Sequence, residues 1–287
     1  MGGSNSTRAG NYSAGRMATS VPRSLCRKGV CLMKALILAG GYGSRFSSSL
    51  AAHLGEPETP VHKCLTQIGH RRVVDFSLDI AVELDVDEII LVVGYLAETV
   101  KAACGSQYRG VPITYAYQPE QQGLVHAMMC GRDALGEDDF WLFLGDEVLI
   151  DANHKAMQER FYKDEAFLIC GMIPTDDPDR IRRNYTLAFD DESSRVWRLV
   201  EKPVRPFTPY IGTGHCVFRN KILHYMDLMP NDPRTGNKEL AGLIQYAIDV
   251  GESVLCHSFD ETFYYVNINT YEEYLGLEAA LMGETIN

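Results

Sequence analysis

The chain has 287 residues, 46% of them hydrophobic, which is enough for one large domain or two small ones around a sizeable core. Apolar residues are plentiful and glycine follows no period, which excludes disordered and collagen-like classes. No run of about 18 apolar residues occurs, so no membrane partner is expected. The net charge of −11 hides an asymmetry: residues 1–33 hold five basic residues and no acid, leaving 22 basic against 38 acidic groups beyond them. A body that acidic repels a phosphate backbone, so nucleic acid is not an expected partner.

Residues 1–33 are rich in Gly, Ser, Asn and Arg and show no hydrophobic periodicity before Val30. They read as a disordered N-terminal extension, vector-derived or from an upstream start, with Met33 the natural beginning. An Arg- and Ser-rich, acid-free leader also has the composition of an organellar transit peptide, while the apolar stretch of a secretory signal is missing. The eight cysteines are scattered and suggest neither a disulfide framework nor a zinc site. Free thiols in a reducing cytoplasm are the expectation.

From Lys34 the pattern becomes regular. Lys34–Ala39 is a short apolar run closed by Gly40-Gly41, as in a buried parallel strand. Helical spacing follows over residues 71–84, then a second buried strand at Glu88–Val93. A short helix near Ala97–Ala103, a strand at Ile113–Tyr117, a helix at Leu124–Ala134 and a strand at Phe140–Leu144 continue the alternation. This predicts an α/β, Rossmann-like, mixed but mainly parallel sheet with helices on both faces. Beyond about residue 165 the strands come closer together, at Phe167–Met172, Thr186–Phe189, Val196–Val200 and Ile211–Phe218, before a closing helix at Tyr271–Met282. The expected organisation is a single domain over 34–287. Residues 34–165 would form a nucleotide-binding half and 166–287 a sugar-phosphate-binding half that extends the same sheet.

The first chemical signal directly follows the first strand: Leu38-Ala39-Gly40-Gly41-Tyr42-Gly43-Ser44-Arg45. Closely spaced glycines let backbone N–H groups approach phosphate oxygens, and ligands bind at the carboxyl ends of strands in open α/β sheets. Arg45 adds a planar fork that matches a phosphate. Phe46 stands where a dinucleotide fingerprint needs its third glycine, and no Walker loop occurs anywhere in the chain.

With these residues the chain resembles the sugar nucleotidyltransferases, or NDP-sugar pyrophosphorylases. Gly40-Gly41-Tyr42-Gly43-Ser44-Arg45 matches their Gly-Gly-x-Gly-Thr-Arg, and Lys63 matches the lysine of their Pro-Lys, with His62 in the proline's place. The segment between Arg45 and Lys63 is longer than is usual there. Gln118-Pro119, Gly123-Leu124-Val125-His126-Ala127 and Leu144-Gly145-Asp146 are similar to glucose-1-phosphate uridylyl- and thymidylyltransferases, and Val200-Glu201-Lys202-Pro203 to the family's Glu-Lys-Pro. Tyr265-Val266-Asn267 stands where many members have Trp-Leu-Asp.

The resemblance implies a Mg²⁺-dependent condensation of a nucleoside triphosphate, UTP or dTTP, with a sugar 1-phosphate to give an NDP-sugar and pyrophosphate. It places Leu38, Ala39, Gly40, Gly41, Gly43, Ser44, Arg45, Gln118, Gly123 and Leu124 on the nucleotide. Gly145, Glu201, Lys202, Thr213, Gly214 and Glu239 fall on the sugar phosphate. Arg45, Lys63, Asp146 and Lys202 carry catalysis, and Asp146 with Asn267 the metal. One Asp and one Asn suffice for Mg²⁺, which shares its shell with phosphates and water. A cytidylyl- or guanylyltransferase acting on a cyclitol, phosphonate or phosphocholine-like acceptor stays open, as does a non-catalytic module of the same fold. The resemblance also leaves a homo-oligomer open. His126 reads as a packed helix histidine and Phe263, Tyr264, Tyr265 and Tyr271 as core. A buried, unpaired Asp146 carboxylate would be costly without metal, so Asp146→Asn is expected to raise the stability of the metal-free chain.

Overall fold

The computed structural model describes residues 32–260 and 262–283, so the extension expected at 1–33 lies almost wholly outside the described residues. The first strand opens at Met33, within the span assigned to that extension. In chain order the first half runs β1 (Met33–Ala39), α1 (Ser44–Leu54), β2 (Gln67–Ile68), β3 (Arg71–Arg72), α2 (Val73–Glu83), β4 (Glu88–Val93), α3 (Ala97–Cys104), β5 (Gln107–Tyr108), β6 (Val111–Tyr117), α4 (Leu124–Cys130), α5 (Arg132–Leu135), β7 (Asp139–Leu144), β8 (Glu147–Ile150) and α6 (His154–Lys163). The second half runs β9 (Leu168–Pro174), α7 (Pro178–Arg183), β10 (Tyr185–Phe189), β11 (Val196–Glu201), β12 (Tyr210–Phe218), α8 (Ile222–Leu228), α9 (Leu240–Asp249), β13 (Val254–Ser258), β14 (Tyr264–Asn267) and α10 (Tyr271–Met282).

Eight strands form one sheet in the order β13-β9-β12-β7-β1-β4-β6-β5. Strand β1 lies parallel to β4 and β7, β4 to β6, and β13 to β9, while β12 runs antiparallel between β7 and β9. The mixed, mainly parallel sheet expected from the alternation is present, with strands of the second half in the same sheet as the first. Burial on both faces explains the unbroken apolar runs. Leu36 and Leu38 of β1 enter one core and Ala35, Ile37 and Ala39 the other. A third, smaller core gathers Phe46, Val148, Val266, Ile268 and Tyr274, and so fastens α1, β8, β14 and α10 together.

The helix expected over 124–134 breaks at Gly131, whose absent Cβ would stand 2.5 Å from Leu36 Cδ1. Of the expected aromatic core, Phe263 is instead exposed, whereas Tyr264, Tyr265 and Tyr271 are partly buried. Cys64, Cys104, Cys130, Cys170, Cys216 and Cys256 are free thiols. Among the described residues no helix is long and apolar enough to cross a membrane.

Candidate active site

The ends of β1, β4 and β6 bring Gly40 and Gln118, of the predicted nucleotide residues, together. Gly40 is packed so closely that a Cβ would lie 2.9 Å from Gln118 Oε1 and 3.3 Å from the Gly94 nitrogen. Its carbonyl accepts from Tyr95 N at 3.1 Å and from Gln121 Nε2 at 2.7 Å, which pins the loop to the neighbouring strand ends. Gly43 turns the chain into α1 at φ 61°, a conformation that favours glycine. Ser44 and Arg45 then open the helix. With Gly43, Phe46, Lys63 and Asn269 they line a cavity of about 120 Å³. Gly123, at φ 90°, starts α4 and sits against Asn237.

Lys63 lies beneath this loop and pairs with Asp146, and its Nζ also donates to the Ile268 carbonyl at 3.2 Å. Burial alone would lower the lysine's pKa, but the Asp146 carboxylate overrides it and the net shift is upward. The long segment after Arg45 therefore does not keep Lys63 away: α1 takes up residues 44–54, and an exposed loop the remainder. Asp146 follows the end of β7, where Gly145 N donates to Leu38 O at 2.9 Å. Antiparallel pairing of β8 with β14 sets Glu147 opposite Asn267, and Ile268 N donates to the Asp146 carbonyl at 2.9 Å. Asp146, in the turn between β7 and β8, thus lies beside the end of β14, although Asn267 is 121 positions away in sequence. Arg45 Nη2 donates to Asn269 Oδ1 at 2.7 Å, and Asn269 Nδ2 donates to Asn267 Oδ1 at 3.1 Å. Among the described residues no group of three or more His, Cys, Asp or Glu could hold a metal alone. One carboxylate and one amide oxygen nevertheless suit a hard divalent cation that takes its other ligands from phosphates and water.

The remaining predicted residues lie in the second half of the chain. Glu201 ends β11 and Lys202 follows it, with Lys202 Nζ 3.2 Å from Glu201 Oε1. Lys202 is held at φ 42°, its backbone N–H donating to Asn184 O at 2.9 Å, while half of its side chain is exposed. Burial raises the Glu201 carboxyl's pKa, with Lys202 opposing and Glu239 adding to the rise. Thr213 Oγ1 donates to Gly171 O at 3.2 Å, and Gly214 N donates to Glu147 Oε2 at 2.7 Å. None of the contacts of Lys202 reaches the Lys63–Asp146 pair.

Four residues at these sites escaped the sequence reading. Glu147 is 2% exposed and joins β8, β12 and β14, accepting from Gly214 N and from Tyr265 OH at 2.7 Å. Burial pushes its carboxyl up to about 7. An acid leading the apolar run Glu147-Val148-Leu149-Ile150 was its available signal. Arg234 donates to the carbonyls of Glu201, at 2.6 Å, and Lys202, at 3.2 Å, with no signal in its exposed loop. His62 is buried and stacks on Tyr95 with ring centroids 6.2 Å apart. Asn269 joins Arg45 to Asn267, and its place in Asn267-Ile268-Asn269 was the clue.

The chain is similar to known proteins. A family model described as nucleotidyl transferase matches residues 34–279. UTP–glucose-1-phosphate uridylyltransferase of Haloferax volcanii is 30% identical over 226 residues, covering 77% of this chain and 86% of that protein. Glucose-1-phosphate thymidylyltransferase of Streptomyces griseus is also 30% identical over 77% of this chain, which spans 59% of that longer enzyme. A solved structure from Bacillus anthracis, described as a glucose-1-phosphate thymidylyltransferase with sucrose, superposes with TM-score 0.73 at 23% identity, over 89% of this chain and 96% of that one. With a family match running from the first strand to the last helix, the chain belongs to the nucleotidyl transferase family, among the sugar nucleotidyltransferases that its motifs resemble.

Proposed function

We propose that the protein condenses a nucleoside triphosphate, UTP or dTTP, with a sugar 1-phosphate to give an NDP-sugar and pyrophosphate. The observation that carries this reading is the Lys63–Asp146 pair beside the Arg45 cavity, at the strand ends where Gln118 lies against Gly40. A phosphate oxygen of the sugar phosphate attacks the α-phosphorus, the bond to the β-phosphate oxygen breaks, and pyrophosphate leaves with its electron pair. The nucleophile is already an anion, so no general base is required and catalysis is positioning plus charge neutralisation.

In this reading Leu38 to Arg45, Gln118, Gly123 and Leu124 hold the nucleotide, and Arg45 and Lys63 steady the triphosphate. Lys202 meets the incoming phosphate, with Gly145, Glu201, Thr213, Gly214 and Glu239 around the sugar. Residues 34–165 would then bind mainly nucleotide and 166–287 mainly sugar phosphate. Asp146 and Asn267 would hold Mg²⁺, which when bound supplies positive charge beside the α-phosphate. Free thiols at the described cysteines suit a reducing compartment such as the cytoplasm.

The test is pyrophosphate release from five nucleoside triphosphates, each with Mg²⁺ and a set of sugar 1-phosphates. Release with UTP or dTTP and a hexose 1-phosphate is expected. Release only with CTP or GTP and a non-sugar phosphate would replace the acceptor and base proposed here. No release with any pair would favour a non-catalytic module.

A further inference from the structure

Gln118 leaves β6 with its backbone N–H donating to Val93 O at 2.8 Å, and its side chain is buried. The two ends of the amide face different neighbours. Nε2 lies 3.1 Å from His126 Nδ1, on the first turn of α4, while Oε1 lies against Gly40. Among the described residues Oε1 accepts no hydrogen bond from the protein, and the nearby Gly40 carbonyl is already taken by Tyr95 and Gln121. A free carboxamide turned by half a rotation presents N–H donors where it had presented an acceptor, so its polarity is undefined until one end is tied. A neutral imidazole protonated at Nε2 accepts at Nδ1 and ties the amide nitrogen.

We propose that His126 is a positioning residue that fixes the polarity of the Gln118 amide, so that Oε1 faces the base and selects uracil over cytosine. The proposal rests on the reading above that Gln118 holds the nucleotide, and narrows that contact to the base. Uracil carries an N–H at ring position 3 and satisfies an acceptor. Cytosine carries a lone pair there and would set acceptor against acceptor in a buried place, leaving both unpaired. The two bases are alike in size, so the discrimination is one of polarity and not of fit.

The test measures affinity for UTP and CTP by calorimetry, and kcat/KM for each with a sugar 1-phosphate, in the full chain and in three variants. The full chain should favour UTP about 100-fold. His126→Leu frees the amide to turn, and the preference should fall at least about tenfold, mostly through tighter CTP binding. His126→Glu offers only acceptors to Nε2 and should keep the preference. His126→Lys offers only donors, draws Oε1 away from the base and should shift the preference towards CTP. A purely structural role would weaken UTP and CTP equally, and that result in His126→Leu would overturn the proposal. So would an unchanged ratio in both His126→Leu and His126→Lys. Melting temperatures identify a variant that fails to fold, and the Glu and Lys variants then decide between these outcomes. Absence of nucleotide binding by the full chain would overturn the nucleotidyltransferase reading together with this one. Binding and turnover with an unmoved base ratio would overturn the role of His126 alone.

Discussion

Lys63 places its ammonium against Asp146 where its side chain is only 12% exposed and that of Asp146 18%. The expectation that an unpaired Asp146 destabilises the metal-free chain is therefore corrected: the carboxylate is paired, and its loss would strand a buried cation. Asp146→Asn should lower the stability of the metal-free chain by about 2 kcal/mol, less than for a fully enclosed pair, or about 5 °C in Tm. Turnover should fall at least about 100-fold, because the charge that attracts the divalent cation is gone. Adding Lys63→Met should recover part of the stability and none of the activity. A single Asp146→Asn variant that melts higher than the parent would show that the pair does not stabilise the fold. Asn267→Asp, by contrast, keeps an oxygen in place and should retain turnover.

At the scale of elements, the strands that carry the glycine loop and Asp146 were legible because burial on both faces leaves apolar runs that Gly closes, whereas β6, which leads to Gln118, is only partly buried. Helices α6 and α9 were not read. The first is mostly polar, and the second follows an irregular loop that hides its start. Strands β8 and β14 have four residues each, too few for a period of two to declare itself. Their pairing nevertheless brings Asn267 beside Asp146, and only the long-range register shows it. The same limit hid Glu147. Its place at the head of an apolar run is its one local mark, while its partners, Gly214 and Tyr265, come from two other strands. The motif residues were readable by resemblance, whereas the contacts that orient them (Asn269 on Arg45, His126 on Gln118, Arg234 behind Glu201) arise from tertiary packing.

Across the whole molecule, buried histidines set the response to acid. Burial lowers His154 to about 3, His257 to about 4, His215 well below its ordinary value and His62 below its own, which favours the neutral ring at all four. The unfolded chain protonates them near pH 6.5. Between about pH 6.5 and 4.5 the unfolded state binds more protons at these sites, and their contribution to stability is lost as pH falls. Glu147, raised to about 7, works the other way: its contribution is full below its unfolded value near 4.5 and is lost as pH rises through 7. Four histidines against two raised carboxyls, Glu147 and Glu201, leave a net loss on acidification, at about 1.4 kcal/mol per pH unit for each net proton. Urea unfolding at pH 6.5 and pH 5 should show the metal-free chain clearly weaker at pH 5, with His257→Gln flattening the difference. Equal stability at the two values would mean that these histidines are not held neutral.

All of these features serve one claim, that the molecule joins a nucleotide to a sugar phosphate at the Lys63–Asp146 end of the sheet. The most direct measurement follows the α-phosphorus itself. The full chain is incubated with Mg²⁺, glucose 1-phosphate and, in parallel, UTP or dTTP labelled at the α-phosphate, and the products are separated and weighed by mass spectrometry. The label should appear in a UDP- or dTDP-sugar, with one pyrophosphate released per sugar consumed. Label recovered as the nucleoside monophosphate, or left in both triphosphates while the sugar phosphate is unchanged, would contradict the proposed reaction.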